Sequence, residues 1–309
     1  MNNTVRRVFR KKRFYVFLLL FLGLYATYSF LDARMTDREF LTWVQEKNPD
    51  LQATVGYKAF PDRKIRYLQL GHQHQSTLIL FVHGAPSSSA FWRSLLLDST
   101  LLANAQLMTI DRPGYGFSGF GQPEVSVKKQ AEYIGEILKE KRGEFEQIVL
   151  HGSSYGGTVA ARTAMDYPEL VDGLLLQSAS VAPGAEKTYW ISYPTSHWLL
   201  EWLIPRPIQV ANAEKLSHFE QLKAMENLWH RIRSACIILH GTADGLIYPF
   251  NAEFAAERLT NAARKELLMV PDRGHDLLFT EPNLLKRSLL KLVRMKFPRQ
   301  ARMEAMAAE

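Results

Sequence analysis

Two adjacent serines lie between glycines in Gly152-Ser153-Ser154-Tyr155-Gly156. A serine hydroxyl attacks an acyl carbon only when a base removes its proton and hydrogen-bond donors hold the oxyanion that follows. One arrangement that meets both needs is a sharp strand–turn–helix, which exposes the serine above the strand ends. Small residues two before and two after it let the turn close. Framed on Ser154 the pentapeptide reads G-x-S-x-G; framed on Ser153, His151 and Tyr155 occupy the glycine positions. The pentapeptide alone leaves a plain glycine-rich turn equally open.

Such a turn needs a strand to enter it and a helix to leave it. The run QIVLH (147–151) is apolar and strand-length, and TVAARTAMDY (158–167) is rich in small helix formers. Similar runs at 66–70, 77–82, 106–110, 173–178, 236–240 and 266–270 predict further strands, with helices at 126–142, 155–167, 250–260 and 282–297. Unbroken apolar strands alternating with helices predict an α/β fold: a mostly parallel sheet covered on both faces. Residues 184–234 break the alternation and carry Trp190, Tyr193, Trp198, Trp202 and Trp229. That length exceeds a simple crossover and predicts a helical lid over the strand ends. Most of its aromatics are expected to pack the insertion's own small core, with some apolar residues facing a pocket beneath.

The formal charge of +7 is concentrated at the ends. Residues 1–13 hold Arg6, Arg7, Arg10, Lys11, Lys12 and Arg13 and no acid. A second basic cluster runs from Lys286 through Lys291 to Arg302. Nucleic-acid binding therefore has no basic face outside the ends. Residues 14–31, FYVFLLLFLGLYATYSFL, carry no charge and as a helix would reach about 27 Å, close to the thickness of a bilayer core. Cations before the run outnumber Arg34 and Arg38 after it, which predicts a signal anchor with residues 1–13 in the cytoplasm and the rest outside it. The expected location is the cell (inner) membrane, single-pass, with a periplasmic domain if the cell is Gram-negative. A cleaved secretory signal and a twin-arginine signal (RRVFRK, 6–11) are the competing readings; no Ala-x-Ala site follows the apolar core. Thr36 and Glu39 form a capping-box pair, so residues 32–54 are read as a linker helix lifting residues 55–309 off the membrane. The lone Cys236, in ACIILHG, predicts a buried small hydrophobe.

Five segments together resemble the α/β-hydrolase superfamily over roughly residues 55–297. Besides the serine pentapeptide, VHGAPSSSAFW (82–92) resembles its His-Gly-x-Pro loop and DRPGYGFS (111–118) its Asp-x-x-Gly-x-Gly-x-Ser turn, read as structural. LHGTADGLIYP (239–249) resembles the loop bearing the catalytic acid, and VPDRGHDLLFTEP (270–282) the loop bearing the catalytic histidine. The resemblance implies Ser154 as nucleophile, His275 as base and Asp244 as its orienting acid, in the chain order expected of this fold. It also implies oxyanion donors at the backbone N–H groups of Ala85 and Tyr155, with Gly152 and Gly156 closing the elbow. The implied chemistry is hydrolysis of a carboxylic ester with an apolar or lipid-like acyl group, through an acyl-enzyme and without metal or cofactor. Thioester, amide and carbon–carbon bond hydrolysis, and a non-catalytic ligand-binding homologue, stay open. Nothing in the chain sets an oligomeric state.

Other conspicuous residues have plainer readings. Asp272 and Asp276 flank His275 but cannot readily reach around to its ring, and are expected to be solvated loop acids. His72 and His74 have no third ligand nearby and are expected in a hairpin turn rather than a metal site. His83, His151 and His240 each precede a glycine at a strand end, where packing or loop hydrogen bonding accounts for them. The basic C-terminal helix is expected to be a solvated face.

Overall fold

Eight strands form one sheet in the order β1-β2-β4-β3-β5-β6-β7-β8 in the computed structural model. It describes residues 34–185 and 204–295, together with Tyr15 and Gly23. The strands are β1 (Gln52–Ala59), β2 (Lys64–Gly71), β3 (Thr77–Val82), β4 (Gln106–Ile110), β5 (Gln147–Ser153), β6 (Gly173–Gln177), β7 (Ala235–Gly241) and β8 (Arg264–Val270). β2 runs antiparallel to β1 and β4; every other pairing is parallel. The helices are α1 (Asp37–Lys47), the short α2 (Arg93–Leu96) and α3 (Ser99–Leu102), α4 (Val127–Lys141), α5 (Tyr155–Asp166), α6 (Arg206–Met225), α7 (Phe250–Arg258), the short α8 (Leu277–Thr280) and α9 (Pro282–Arg294).

The two faces of the sheet are readable from single strands. Leu78, Leu80 and Val82 of β3 enter one core with Ile134 of α4 and Val159 of α5, while Ile79 and Phe81 enter the other with Phe40 of α1 and Leu289 of α9. That alternation is the period-two geometry of a strand covered on both sides. Each such side chain taken from water contributes roughly 1.5–3 kcal/mol. The order β4-β3-β5 makes the chain leave β3 to one side and return on the other. The loops after β3 and β5 therefore diverge at a switch point above the strand ends, where such sheets leave a crevice.

Several expectations need correction. β1 precedes the seven strands read from the sequence; Ala53, Val55, Tyr57 and Ala59 do alternate, but as a half-exposed edge strand rather than an aliphatic run. Residues 37–47 form the expected helix, and its capping box is present, Glu39 N donating to Thr36 Oγ1 and Thr36 N to Glu39 Oε2. It is not a spacer, however. Phe40 and Val44 are buried in the core, Arg66 Nε of β2 donates to Asp37 at 2.8 Å, and the compact unit begins at Arg34. β1 also begins inside the stretch read as linker, so the domain starts earlier than residue 55. Residues 72–76 join β2 to β3, which are not neighbours, so the two histidines sit in a connection rather than a hairpin. The His72 and His74 rings stack at 5.7 Å, and no cluster of three metal-ligating side chains occurs among the described residues.

The apolar run 14–31 lies outside the described residues apart from Tyr15 and Gly23; among those described, no helix is long and apolar enough to cross a membrane. Trp190, Tyr193, Trp198 and Trp202 also lie outside them. The described part of the 184–234 insertion holds α6 and a 3-10 turn at Glu226–Arg231. There Trp229 packs edge-on to Phe254 of α7, 6.0 Å between ring centroids, and so belongs to the main core. Cys236 is buried in β7, and burial pushes its thiol up to about 12.

Candidate active site

Ser154 stands at the junction of β5 and α5 with φ 55° and ψ −125°, a backbone region that non-glycine residues avoid. A side chain held there costs about 1–3 kcal/mol and persists only where its surroundings impose it. The surroundings are crowded by design of sequence. A Cβ on Gly152 would collide with the Gly156 carbonyl and with Ala160, and one on Gly156 with the carbonyls of Val82 and His83. Both positions of the G-x-S-x-G frame therefore need glycine for close approach of backbone. Ser154 N donates to Gln177 O (3.0 Å) and Ser180 N to Ser154 O (3.2 Å), tying the turn to the end of β6. Ser153, by contrast, is buried as the last residue of β5.

Asp244 follows β7 and His275 follows β8. Asp244 Oδ2 accepts from His275 Nδ1 at 2.8 Å, and its Oδ1 accepts from the backbone N–H groups of Leu246 and Ile247, both at 2.9 Å. Burial alone would raise the Asp244 pKa. Hydrogen bonding from His240 and His275, with the loop N–H, outweighs it and holds the carboxyl well below the usual range. A proton on His275 Nδ1 leaves Nε2 of the neutral ring as an acceptor. Asp272 and Asp276 are exposed, as expected, and neither takes the His275 ring nitrogen.

Ser154, His275, Ala85 and Tyr155 all line one cavity of about 400 Å³. Tyr155 opens α5, so its N–H is among the four that a helix leaves without an internal acceptor. Ala85 belongs to the loop after β3, which is fastened from below by Arg112. The Arg112 Nε donates to His83 O at 2.8 Å and its Nη2 to Gly84 O at 3.1 Å. His83 Nε2 accepts the Arg112 N–H at 3.0 Å, which leaves its proton on Nδ1, facing Gly84 O at 2.7 Å. Burial, then the Arg112 charge, pushes the His83 pKa well down, consistent with a neutral ring. Asp111, in the turn read as structural, accepts from Ser89 N (2.7 Å), Phe117 N (3.0 Å) and Arg66 (3.1 Å), holding this side of the loop.

Residues 79–285, more than half of the chain, match the sequence profile described as the alpha/beta hydrolase family. The chain belongs to that family. Among curated relatives, an uncharacterized hydrolase of Saccharomyces cerevisiae is 27% identical over 46% of this chain and 50% of its own. The pimeloyl-acyl-carrier-protein methyl ester esterase of Proteus mirabilis is 29% identical over 37% of this chain and 40% of its own. The chain thus matches half or less of the length of these relatives. A solved structure described as a membrane phospholipase A, a bacterial virulence factor, superposes with TM-score 0.61 at 22% identity, covering 92% of this chain and all of that one. The monoacylglycerol lipase of Paleococcus ferrophilus superposes with TM-score 0.60 at 18% identity over 74% and 98%. At such identity these likenesses speak to fold.

Within this alpha/beta hydrolase the structure adds residues that sequence reasoning passed over. Glu214 of α6 is fully buried and accepts from Arg112 Nη1 (2.5 Å) and Nη2 (3.2 Å), Tyr115 Oη (2.7 Å) and Gln130 Nε2 (2.9 Å). The insertion is thereby pinned to the same arginine that fastens the loop of Ala85. His218, one turn on, is buried with Nε2 3.0 Å from Ser180 Oγ, and its ring lies 4.8 Å from that of Tyr155. Burial pushes its pKa down to about 4. His240, read as packing or loop hydrogen bonding, does make a loop hydrogen bond, Nε2 donating to Ile247 O at 2.9 Å, and it also lies 3.4 Å from Asp244 Oδ2. A faint signal existed: Val210, Glu214, His218 and Leu222 share one face of α6, but two polar members blur its apolar periodicity.

Proposed function

We propose that this hydrolase cleaves a carboxylic ester with an apolar, lipid-like acyl group, using Ser154, His275 and Asp244 in concert. The observation that carries the reading is the strained Ser154 sharing a cavity with His275, whose Nδ1 is held by Asp244 at 2.8 Å. Ser154 Oγ attacks the acyl carbon while His275 Nε2 takes its proton. Asp244 fixes the tautomer and stabilises the imidazolium. The oxyanion is received by the N–H groups of Ala85 and Tyr155. The alkoxide leaves with the proton from His275, and a water, deprotonated by the same ring, releases the acid from the acyl-enzyme. The cavity's apolar lining, Pro86, Ile208, Ala211, Leu246 and Ile247, supports an apolar acyl chain. The likeness to esterases and lipases supports the bond class.

The uncharged run 14–31, flanked by the six cations of residues 6–13, supports a retained anchor with the domain outside the cytoplasm. A fluorophosphonate probe tests the chemistry. Labelling is expected for the wild type and Ser153→Ala and absent in Ser154→Ala, with ester turnover falling by several orders of magnitude only in the latter. Equal losses from both serines, or no labelling of the wild type, refute the assignment. Membrane fractionation of the intact chain tests the anchor, which a fully soluble product overturns.

A further inference from the structure

A second cavity, of about 280 Å³, shares no lining residue with the cavity of Ser154. Five glutamines line it, together with Thr54, Gly71, Glu144 and Phe145. The register of the sheet assembles it. Gln52 lies opposite Gly71 and Thr54 opposite Gln69, so these positions share one face of β1 and β2. On the other side of β2, Leu70 lies opposite Leu107, which brings Gln106 to the far flank of Gly71. A Cβ at Gly71 would come within 2.9 Å of Gln106, so glycine keeps the row open between the amides. Gln52 and Gln106 begin their strands and Phe145 precedes β5, whereas Ser154, Asp244 and His275 follow theirs. The cavity therefore lies at the opposite end of the parallel strands from those three residues.

At its floor Gln69, only 8% exposed, has an oxygen without a hydrogen-bond partner among the described residues. A relay fixes the orientation of that amide. The His72 carbonyl can only accept, so Gln106 turns its Nε2 to it at 3.1 Å, and Gln106 Oε1 accepts from Gln69 Nε2 at 2.6 Å. Gln69 Oε1 is left as a desolvated acceptor, a costly state that a donor entering the cavity relieves. Gln52, Thr54 and Gln73 stand exposed at the rim. Each carboxamide presents an acceptor and a donor side by side, and adjacent hydroxyls return both. Glu144, the one charged side chain among the described lining residues, is paired with Lys141 at 3.0 Å, so no unmet charge calls for an ion. Phe145 adds an apolar wall against which the C–H face of a sugar ring can lie.

We propose that this cavity is a non-catalytic binding site for a neutral saccharide, one ring seated over Gly71 with a hydroxyl donating to Gln69 Oε1. The inference does not depend on the hydrolytic role of Ser154. A hexose of about a dozen heavy atoms held by such hydrogen bonds is expected to bind with a dissociation constant on the order of 1 mM.

Saturation-transfer NMR on the full-length chain, in a detergent without a sugar headgroup, tests this with glucose, galactose, mannose and N-acetylglucosamine. At least one is expected to bind saturably. Gln69→Leu removes the floor acceptor, and Gln52→Ala/Gln73→Ala strips two exposed rim amides; each is expected to weaken binding about tenfold. The rim variant should keep wild-type melting and p-nitrophenyl ester turnover, which separates lost binding from lost fold. No saturable binding of any of the sugars up to about 50 mM overturns the proposal. So does affinity within twofold of wild type in either variant. A sugar that competes with the p-nitrophenyl ester occupies the catalytic cavity instead and overturns the placement. N-acetylalanine methylamide binding more tightly than every sugar, with the same loss in both variants, overturns the ligand class.

Discussion

Replacing Glu214 by alanine removes the only carboxylate that Arg112 pairs with among the described residues, and with it four hydrogen bonds. Arg112 and Glu214 are both almost wholly shielded from solvent, so the arginine is left as an uncompensated charge in the core. Breaking a buried pair from one side costs about 3–5 kcal/mol. For a domain of this size each kcal/mol shifts the melting temperature by about 2–4 °C, so Glu214→Ala is expected to melt roughly 10 °C below wild type. Removing both charges together is different: Arg112→Met/Glu214→Leu leaves no unpaired charge and is expected to regain part of that loss, although the carbonyls of His83 and Gly84 and the Tyr115 hydroxyl lose their partners. Ester turnover should not return with it. Arg112 also holds the carbonyls of His83 and Gly84, and without those bonds the loop bearing Ala85 loses its fastening. Thermal melts of the full-length wild type, single and double variants, read beside p-nitrophenyl ester turnover, separate the two effects. A single variant melting within a degree or so of wild type would refute the reasoning. So would a double variant no more stable than the single.

Two further outcomes follow from the same geometry. Gly156→Ala drives a Cβ into two backbone carbonyls and is expected to cost about 3 kcal/mol in urea unfolding, with loss of probe labelling at Ser154. Gly143→Ala, where the nearest atom is a carbonyl at 3.7 Å, is expected within about 0.5 kcal/mol of wild type; equal costs at the two sites would contradict the close approach. Burial pushes the pKa of His151 down to about 3 and that of His218 to about 4, so the unfolded chain binds protons first as pH falls below about 6.5. Their contribution is complete above that pH and is lost on acidification toward the folded values. Each adds about 1.4 kcal/mol per pH unit to the slope of stability near pH 5. His151→Gln should lower that slope by about this amount in urea melts between pH 4.5 and 7, and an unchanged slope would count against it.

Local pattern carried much of this protein. The serine frame, the strand-length apolar runs and the helices at 127–141, 155–166, 250–258 and 282–294 rest on short-range chemistry: steric closure of a turn, two-faced burial, and capping. Those same constraints put Ser154, Asp244 and His275 each just past a strand, and parallel strands deliver their carboxyl ends to one edge. The edge strand β1 gives only a weak signal because its residues are half-exposed, and the helix at 37–47 is legible from its capping box while its docking on β2, a long-range contact, is not.

Tertiary structure alone decided the environment of the site. That Arg112 ties the Ala85 loop to the insertion depends on residues 28 to 102 positions apart meeting in space, and that Lys215 faces the cavity depends on how one helix is rotated about its axis. Glu214 and Lys215 are adjacent in sequence, yet one is buried on an arginine and the other lines the pocket. The 100° step between neighbours on a helix separates them, and only the packing of α6 against the sheet fixes which faces inward.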